Sequence, residues 1–179
     1  MDCLFLPTSV HMSLSRGVST LHLIDEQQFD IRIASDGRWF HEGDEIRRIE
    51  IVKLFASVLM RDKIGDHWLV TPVEKGRITV DDAPFIVSEM LVLSGANLRS
   101  NEIHFRTNLD ENITLDAAHP VLLHPAGYSQ GFRPYIEVRN GLLAKLSRPV
   151  YYELAEQAEK GPDGRLGVWS QNQHFALEL

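Results

Sequence analysis

The densest group of chemically active side chains lies between Thr71 and Pro84. In a strand alternate residues share a face, so Arg77, Thr79 and Asp81 are expected to project together. Lys75 and Arg77 can then meet an anion at the end of the sheet, since ammonium and guanidinium groups aimed at one point bind phosphate or carboxylate. The stretch therefore predicts an anion site with Lys75 and Arg77 as its donors.

The same stretch also has a purely structural interpretation. The acids Glu74 and Asp81 can neutralise Lys75 and Arg77 as cross-strand ion pairs on a solvent-exposed face. Because exposed ion pairs are common in proteins, the residue types alone favour this second interpretation.

A second group comprises Arg106, Asp116 and His119. A carboxylate three residues before a histidine can orient the imidazole or contribute to a divalent metal site. If the fold also brought Asp81 here, the three acid and imidazole groups would suit a metal-dependent hydrolase. The alternative is a hydrogen bond between Asp116 and His119 that merely anchors a turn.

A third group lies on a predicted helix and contains Arg148, Tyr151 and Tyr152. One tyrosine is expected in the core, which leaves the other free to stack on a ligand or to form a hydrogen bond.

Composition excludes several classes of protein. The chain has 179 residues, enough for one domain or two small ones, and a single cysteine, which excludes a disulfide framework or a cysteine-rich metal site. A net charge of −7 argues against sequence-independent nucleic-acid binding. No apolar run reaches the roughly 20 residues of a membrane helix. We expect a cytoplasmic protein with no cofactor, no membrane contact and no nucleic-acid partner.

The motifs of common enzyme classes are also missing. The sequence has no phosphate-binding P-loop, no zinc-protease motif and no serine-hydrolase motif. The spacing of Gly161, Gly164 and Gly167 is wrong for a dinucleotide fingerprint and is typical of a turn. The residues therefore make an enzyme the less favoured prediction.

Hydrophobic periodicity predicts two helices, over 46–59 and 149–158, and the first carries two apolar stripes typical of a helix covered on two sides. Two hairpins are predicted at Asp36-Gly37 and Asn140-Gly141, because these dipeptides favour tight primed turns. Residues 125–134 form a predicted surface loop. Alternation predicts the remaining strands at 67–71, 77–80, 85–93, 102–107, 113–116, 121–124, 166–170 and 174–177.

The order strand, turn, strand, helix, strand in residues 31–72 recurs in residues 135–178. The recurrence predicts a duplication, although two unrelated units can share the same turn residues. We predict an α+β protein of two small domains, each an antiparallel sheet with a packed helix. The predicted divisions are a tail at 1–28, a first domain at 29–82 and a second at 83–179. Residues 1–11 are either a tail or an upstream extension before a start at Met12.

Several strings match one family. The longest, Thr71-Pro-Val-Glu-Lys-Gly-Arg-Ile-Thr-Val-Asp-Asp-Ala-Pro84, is accompanied by Leu115-Asp-Ala-Ala-His-Pro120 and Arg148-Pro-Val-Tyr-Tyr-Glu-Leu154. Over about residues 29–178 the chain resembles the bacterial domain-of-unknown-function family 1285.

This resemblance implies a duplicated two-domain core whose second half is a curved sheet similar to a pleckstrin-homology domain. It also implies a ligand pocket where the halves meet, suited to a nucleotide-like molecule, and a role in signal transduction. No reaction comes with the family. Its signature positions fall here on Thr71, Glu74, Lys75, Arg77, Asp81, Arg106, Asp116, His119, Arg148 and Tyr152.

Three hypotheses follow. The leading one is a non-catalytic signalling module that binds a small anionic, nucleotide-like ligand between its domains. In this hypothesis Lys75, Arg77 and Arg106 are the donors to the anion, and Asp81 or Asp116 accepts from the ribose or base. The second is an adaptor with a protein partner, motivated by the pleckstrin-like resemblance and the helix over 46–59. The third is a metal-dependent hydrolase that uses Asp81, Asp116 and His119.

Overall fold

The computed structural model describes residues 26–125 and 131–178. The predicted tail at 1–28 therefore lies outside the described residues except for its last three, and so does the proposed extension at 1–11. Of the predicted loop at 125–134, residues 126–130 are likewise outside the described part.

The first sheet is built entirely from residues before Asp81. Its six strands lie in the order β3-β2-β1-β6-β5-β4, and all neighbours are antiparallel except β1 and β6, which are parallel. One helix, α1, connects the first three strands to the last three. The elements are β1 (Glu26–Ile33), β2 (Trp39–His41), β3 (Asp44–Glu45), α1 (Ile49–Ser57), β4 (Leu59–Arg61), β5 (His67–Val70) and β6 (Lys75–Val80).

The second sheet repeats this topology. Its order, β9-β8-β7-β12-β11-β10, is that of the first sheet with six added to every number, and its parallel pair is again the first and last strand, β7 and β12. The chain thus forms two similar domains, each with a sheet rich in antiparallel pairs. The strands are β7 (Phe85–Leu93), β8 (Glu102–Thr107), β9 (Asn112–Thr114), β10 (Val121–Pro125), β11 (Phe132–Arg139) and β12 (Leu142–Leu146).

The second domain ends in a helix and a separate small sheet. Helix α2 packs against β7 and β14, and the last three strands form an antiparallel meander. These elements are α2 (Arg148–Glu156), β13 (Glu159–Lys160), β14 (Leu166–Ser170) and β15 (Gln173–Ala176).

The repeat in the structure differs from the one that the sequence indicates. Residues 31–72 and 135–178 do share the order hairpin, helix, strands, but β13–β15 stand apart as their own sheet, whereas β4–β6 join the first hairpin through the parallel pair of β1 and β6. The two six-stranded sheets, residues 26–80 and 85–146, are the true topological repeat. Turn dipeptides are local and carry no information about this long-range pairing.

Helix α1 is shorter than predicted and is covered on one side. It spans Ile49–Ser57, and Leu59, predicted as its last residue, already begins β4. Val52 and Ala56 are buried, but Leu54 on the second apolar stripe is 64% exposed. The prediction of two-sided cover is therefore wrong for this helix.

The two predicted hairpin turns have different geometries. Asn140 and Gly141 both have positive φ, +48° and +77°, as a primed turn requires. At the other turn only Gly37 does, at +83°, and the N–H of Ala34 donates to the carbonyl of Arg38. The dipeptide Asp36-Gly37 thus closes a longer loop than predicted.

Both domains contribute to one hydrophobic core and meet through specific polar contacts. Buried Trp39 and Val52 of the first domain belong to the same cluster as Phe85 and Leu109 of the second. Arg139 of β11 donates to the carbonyl of Ala56 in α1 over 2.7 Å. In the described part of the chain neither helix has the length and apolar character needed to cross a membrane.

Candidate ligand-binding site

Each predicted basic donor of β6 faces a carboxylate in the structure. The Lys75 ammonium forms an ion pair with Glu26 of β1 and lies 4.1 Å from the ring centroid of Trp68. The Arg77 guanidinium lies 2.5 Å from Asp66. These contacts favour the ion-pair interpretation of the stretch, with partners outside it.

The other residues of the 71–84 stretch serve the sheet and its turns. Asp81 accepts hydrogen bonds from Arg32 of β1, which lower the pKa of its carboxyl. The Thr71 hydroxyl oxygen accepts the backbone N–H of Glu74 over 3.0 Å and closes the turn before β6. Glu74 itself is exposed and forms no ion pair within the described residues.

Arg106 belongs to a cluster at the contact between the domains. Its guanidinium lies 2.5 Å from Asp110 and 3.2 Å from Glu89, both in its own domain. Asp110 also binds Lys53 of α1 in the first domain over 2.5 Å. The Arg106 guanidinium is thus neutralised by acids that help to join the domains. It does not line an open pocket together with Lys75 or Arg77.

Asp116 and His119 meet, as their spacing predicts, within one turn. The carboxylate oxygen of Asp116 accepts the backbone N–H of both Ala118 and His119 over 2.9 Å and lies 3.0 Å from Nδ1 of the imidazole. Asp81 is bound to Arg32 instead. Within residues 26–125 and 131–178 no three histidine, cysteine or acidic side chains are grouped as a metal would require.

A larger candidate site lies elsewhere in the described part of the chain, between the first domain and the start of α2. We call it the junction cleft. Its volume is about 550 Å³, within the range of ligand pockets in proteins. Its walls come from the β1–β2 loop, the connection between the domains, β11, β12 and α2, through the residues Ser35, Asp82, Phe132, Arg133, Pro134, Lys145, Leu146, Ser147, Arg148, Tyr151 and Tyr152.

Asp82 is the electrostatic centre of one wall. Its side chain is only 12% exposed, and its carboxylate accepts from Lys145 Nζ over 2.8 Å and from the Tyr135 hydroxyl over 2.6 Å. Arg133 lies 3.8 Å away. Burial by itself raises the pKa of Asp82, but the bonds from Lys145 and Tyr135 outweigh it, so the pKa stays below its ordinary value.

Arg148 is the cation of the cleft that has no acidic partner among the described residues. It is exposed, lies in the first turn of α2, and forms no ion pair with any described residue. With Arg133 and Lys145 it gives the cleft three positive charges against the single carboxylate of Asp82. The cleft therefore has a net positive charge in a protein whose overall charge is −7.

Aromatic rings line the same cleft. Tyr152 is 64% exposed and Phe132 is 47% exposed, and the rings of Tyr151 and Tyr152 lie 6.5 Å apart. Exposed aromatic faces beside cations provide both stacking surfaces and hydrogen-bonding groups. Tyr152 and Arg148 are the two predicted site residues that the structure brings together in an open cavity.

The Tyr135 hydroxyl supplies a first prediction. Burial and the neighbouring Asp82 carboxylate raise the pKa of Tyr135 to about 12. The folded protein then keeps a proton that the unfolded chain releases near pH 10, so this contribution to stability is present below pH 10 and is lost as the pH rises toward 12. In a spectrophotometric tyrosinate titration, Tyr135→Phe should lack the latest component of the wild-type curve. A late component that survives the substitution would contradict the assignment.

Sequence reasoning missed Lys145, Arg133 and Tyr135. Lys145 has a recognisable pattern, because it is the polar residue in the strand Leu142-Leu-Ala-Lys-Leu146, between two buried neighbours. Its partner Asp82 is 63 residues away in the chain, so only the fold brings the two together.

Comparison with known protein families gives matches along almost the whole described chain. Residues 19–83 match the N-terminal domain of the family described as a domain of unknown function, DUF1285, and residues 84–177 match its C-terminal domain. The chain belongs to the DUF1285 family. The two matches meet at residues 83 and 84, next to Asp82 of the junction cleft.

Two crystal structures of DUF1285 family proteins are similar to this chain. One, from Silicibacter pomeroyi DSS-3, is 35% identical, with a TM-score of 0.78 over 91% of this chain and 88% of that one. The other, from Shewanella baltica OS155, is 25% identical, with a TM-score of 0.55 over 72% of this chain and 91% of that one. No curated protein matches the chain.

Proposed function

We propose that this DUF1285 protein is a non-catalytic signalling module that binds a small anionic, nucleotide-like ligand in the junction cleft. The observation that carries the proposal is Arg148, whose guanidinium forms no ion pair with any described residue and lines a cavity of about 550 Å³ with exposed aromatic rings. The single cysteine is typical of a reducing compartment, so we propose that the protein acts in the cytoplasm.

The charges around the cleft support an anion as the ligand. Arg133, Lys145 and Arg148 outnumber Asp82 by two, and an anion with a charge near −2 would restore neutrality. A nucleoside monophosphate has such a phosphate group. Guanidinium groups also match the geometry of phosphate oxygens, which favours Arg148 and Arg133 as its donors.

The aromatic wall supports a ligand with a planar ring. Tyr152 and Phe132 present exposed faces on which a base can stack, and base stacking on aromatic side chains contributes roughly 1–3 kcal/mol. The proposed ligand therefore places its phosphate near Arg148 and its base near Tyr152.

The position of the cleft supports a signalling role. Lys145 of the second domain donates to the carbonyl of Ser35 in the first domain over 2.5 Å, and the same ammonium faces the cleft beside Asp82. A ligand that attracts Lys145 competes with the contact to Ser35, so binding can be transmitted to the junction between the domains.

Calorimetric titration with AMP tests the proposal. Arg148→Ala should weaken AMP binding about tenfold or more, because a hydrogen bond to a charged group contributes roughly 1.5–3 kcal/mol. The melting temperature should be little changed, since Arg148 is exposed and has no partner among the described residues.

Arg165→Ala is the matched control. Arg165 is also exposed, but it is bound to Asp163 over 2.6 Å and does not line the cleft, so its removal should leave AMP affinity unchanged. Failure of the wild-type protein to bind AMP, or equal losses in the two variants, would refute the proposal. Conversion of AMP to product, followed by phosphorus NMR, would support the hydrolase hypothesis instead.

A further inference from the structure

A second cavity between the domains has two histidines in its walls. We call it the histidine pocket. Its volume is about 120 Å³, and Asp82 is the one residue that it shares with the lining of the junction cleft. The first domain contributes Arg61 and His67 to the walls, and the second contributes His124 and Tyr135.

Strand register places a cation beside the first histidine. Arg61 of β4 and His67 of β5 are directly opposite each other in an antiparallel pair, so their side chains lie on one face of the sheet. Arg61 is exposed and forms no ion pair with any described residue, but its Nη1 donates to the carbonyl of Gly141 in the second domain over 3.1 Å. A guanidinium has five N–H groups, so most of its donors remain for a ligand.

The two imidazoles supply further donors. Within the described residues neither His67 nor His124 forms a side-chain hydrogen bond, and the ring of His124 lies 4.9 Å from that of Tyr135. In the same part of the chain Trp39 Nε1 is the one fully buried side-chain nitrogen without a partner, so the ring nitrogens of partly buried His67 keep accessible surface. An imidazole N–H donates whether the ring is neutral or charged.

The carboxylates nearest to the pocket are already engaged. Asp62 accepts from Trp68 Nε1 over 2.9 Å, and Asp66 lies 2.5 Å from the Arg77 guanidinium. Asp82 is neutralised by the basic residues of the junction cleft, as described above. No carboxylate of the described chain therefore forms an ion pair with the Arg61 guanidinium, and its charge is available to an anion from solution.

His67 makes the charge of the pocket depend on pH. Burial, and then the neighbouring Arg61 guanidinium, lower the pKa of His67, while Asp62 and Asp66 act in the opposite direction. At neutral pH the ring is therefore uncharged. A doubly negative ion beside it would favour the imidazolium and raise that pKa.

The size of the pocket limits the ligand to a few atoms. Since a water molecule occupies about 30 Å³ of the liquid, the pocket has room for about four waters. A tetrahedral oxyanion of five heavy atoms is of this size, whereas a nucleotide is several times larger.

We propose that the histidine pocket binds a doubly charged tetrahedral oxyanion, such as sulfate or hydrogen phosphate, and takes up a proton on His67 as it does so. Arg61 and His67 donate to the anion from the first domain and His124 donates from the second, so the anion also links the domains. Binding is strongest in mild acid and weakens as the pH rises and the imidazolium loses its proton. This site is independent of the AMP site proposed for the junction cleft.

The test is an NMR titration with sulfate, which stays doubly negative between pH 5.5 and pH 8. The ring-proton resonances of His67, identified by their loss in His67→Asn, report its protonation. Sulfate should raise the pKa of His67, and it should bind about tenfold more tightly at pH 5.5 than at pH 8. Sodium chloride at equal ionic strength, which controls for screening, should leave the pKa in place.

Matched variants assign the anion to this pocket. Arg61→Gln should weaken sulfate binding about tenfold, because a hydrogen bond from a charged group is lost. His67→Asn should remove most of the pH dependence. His41→Asn alters an exposed histidine of β2 that does not line the pocket, and it should change neither property. If Arg61→Gln does not fold, His124→Asn keeps the guanidinium and should lower the affinity about threefold.

Two outcomes would overturn the proposal. One is a pKa of His67 that sulfate does not move, or equal affinity at the two pH values. The other is loss of sulfate binding in Arg148→Ala but not in Arg61→Gln, since sulfate would then lie in the junction cleft. The AMP titrations decide the junction cleft separately, so either proposal can fail without the other.

Discussion

Gly37→Val is expected to lower the free energy of unfolding by about 3 kcal/mol. Gly37 has a φ of +83°, and a Cβ at this position would lie 2.8 Å from Ile86 and 2.9 Å from Asn108. Both neighbours belong to the second domain, and the Asn108 side chain accepts the backbone N–H of Ile86 over 2.9 Å. A side chain at position 37 must therefore displace two side chains of the second domain as well as strain its own backbone.

Gly43→Val separates the cost of the strained backbone from the cost of the close contact with the second domain. Gly43 has nearly the same φ, +86°, but a Cβ there would have no neighbour within 4 Å. This variant should lose only the roughly 1–2 kcal/mol due to the left-handed backbone. Urea denaturation of both variants measures the difference. Equal losses would show that close contact of the domains at Gly37 contributes nothing to stability.

Asp82→Asn should have the second largest effect. It should lower the stability of the protein and raise its affinity for AMP. The amide can still accept from Tyr135, but it no longer neutralises Lys145 and Arg133, so we expect a loss of about 2 kcal/mol in the free energy of unfolding at pH 7. The junction cleft meanwhile gains one net positive charge. Its affinity for AMP should rise about tenfold, equivalent to about 1.4 kcal/mol.

The pH dependence of stability tests the same residue. Because the pKa of Asp82 is lowered in the folded protein, its contribution is present at neutral pH and is lost as the pH falls through that lowered pKa. The stabilities of wild-type protein and Asp82→Asn should therefore converge in acid. A constant gap between pH 7 and pH 3, or weaker AMP binding by Asp82→Asn, would contradict the role assigned to Asp82.

The apolar alternation predicts most strands well. Strands β7 and β8 have the predicted bounds, 85–93 and 102–107, and Arg77 and Thr79 lie on the exposed face of β6 as the period of two requires. The Asn140-Gly141 turn is confirmed by its positive φ values. These features depend on neighbouring residues only, so the local sequence is enough to predict them.

The candidate site was predicted less completely. The pattern on the second predicted helix and the family resemblance both indicate Arg148 and Tyr152, and these residues do line one cavity, but Lys75, Arg77 and Arg106 each face a different acid. Lys75 meets Glu26, which is 49 residues away, so no spacing along the chain indicates that this charge is neutralised.

The sequence alone determined the class of the fold and most of its strands and both helices, because side-chain periodicity and turn chemistry act over a few residues. It indicated two similar halves, but not the segments that repeat in the structure. Only the tertiary structure decided which strands pair in parallel, which carboxylate neutralises each base, and where a cavity with unpaired charge remains. Those outcomes depend on groups such as Asp82 and Lys145, distant in the chain, which meet only after both sheets have packed on a common core.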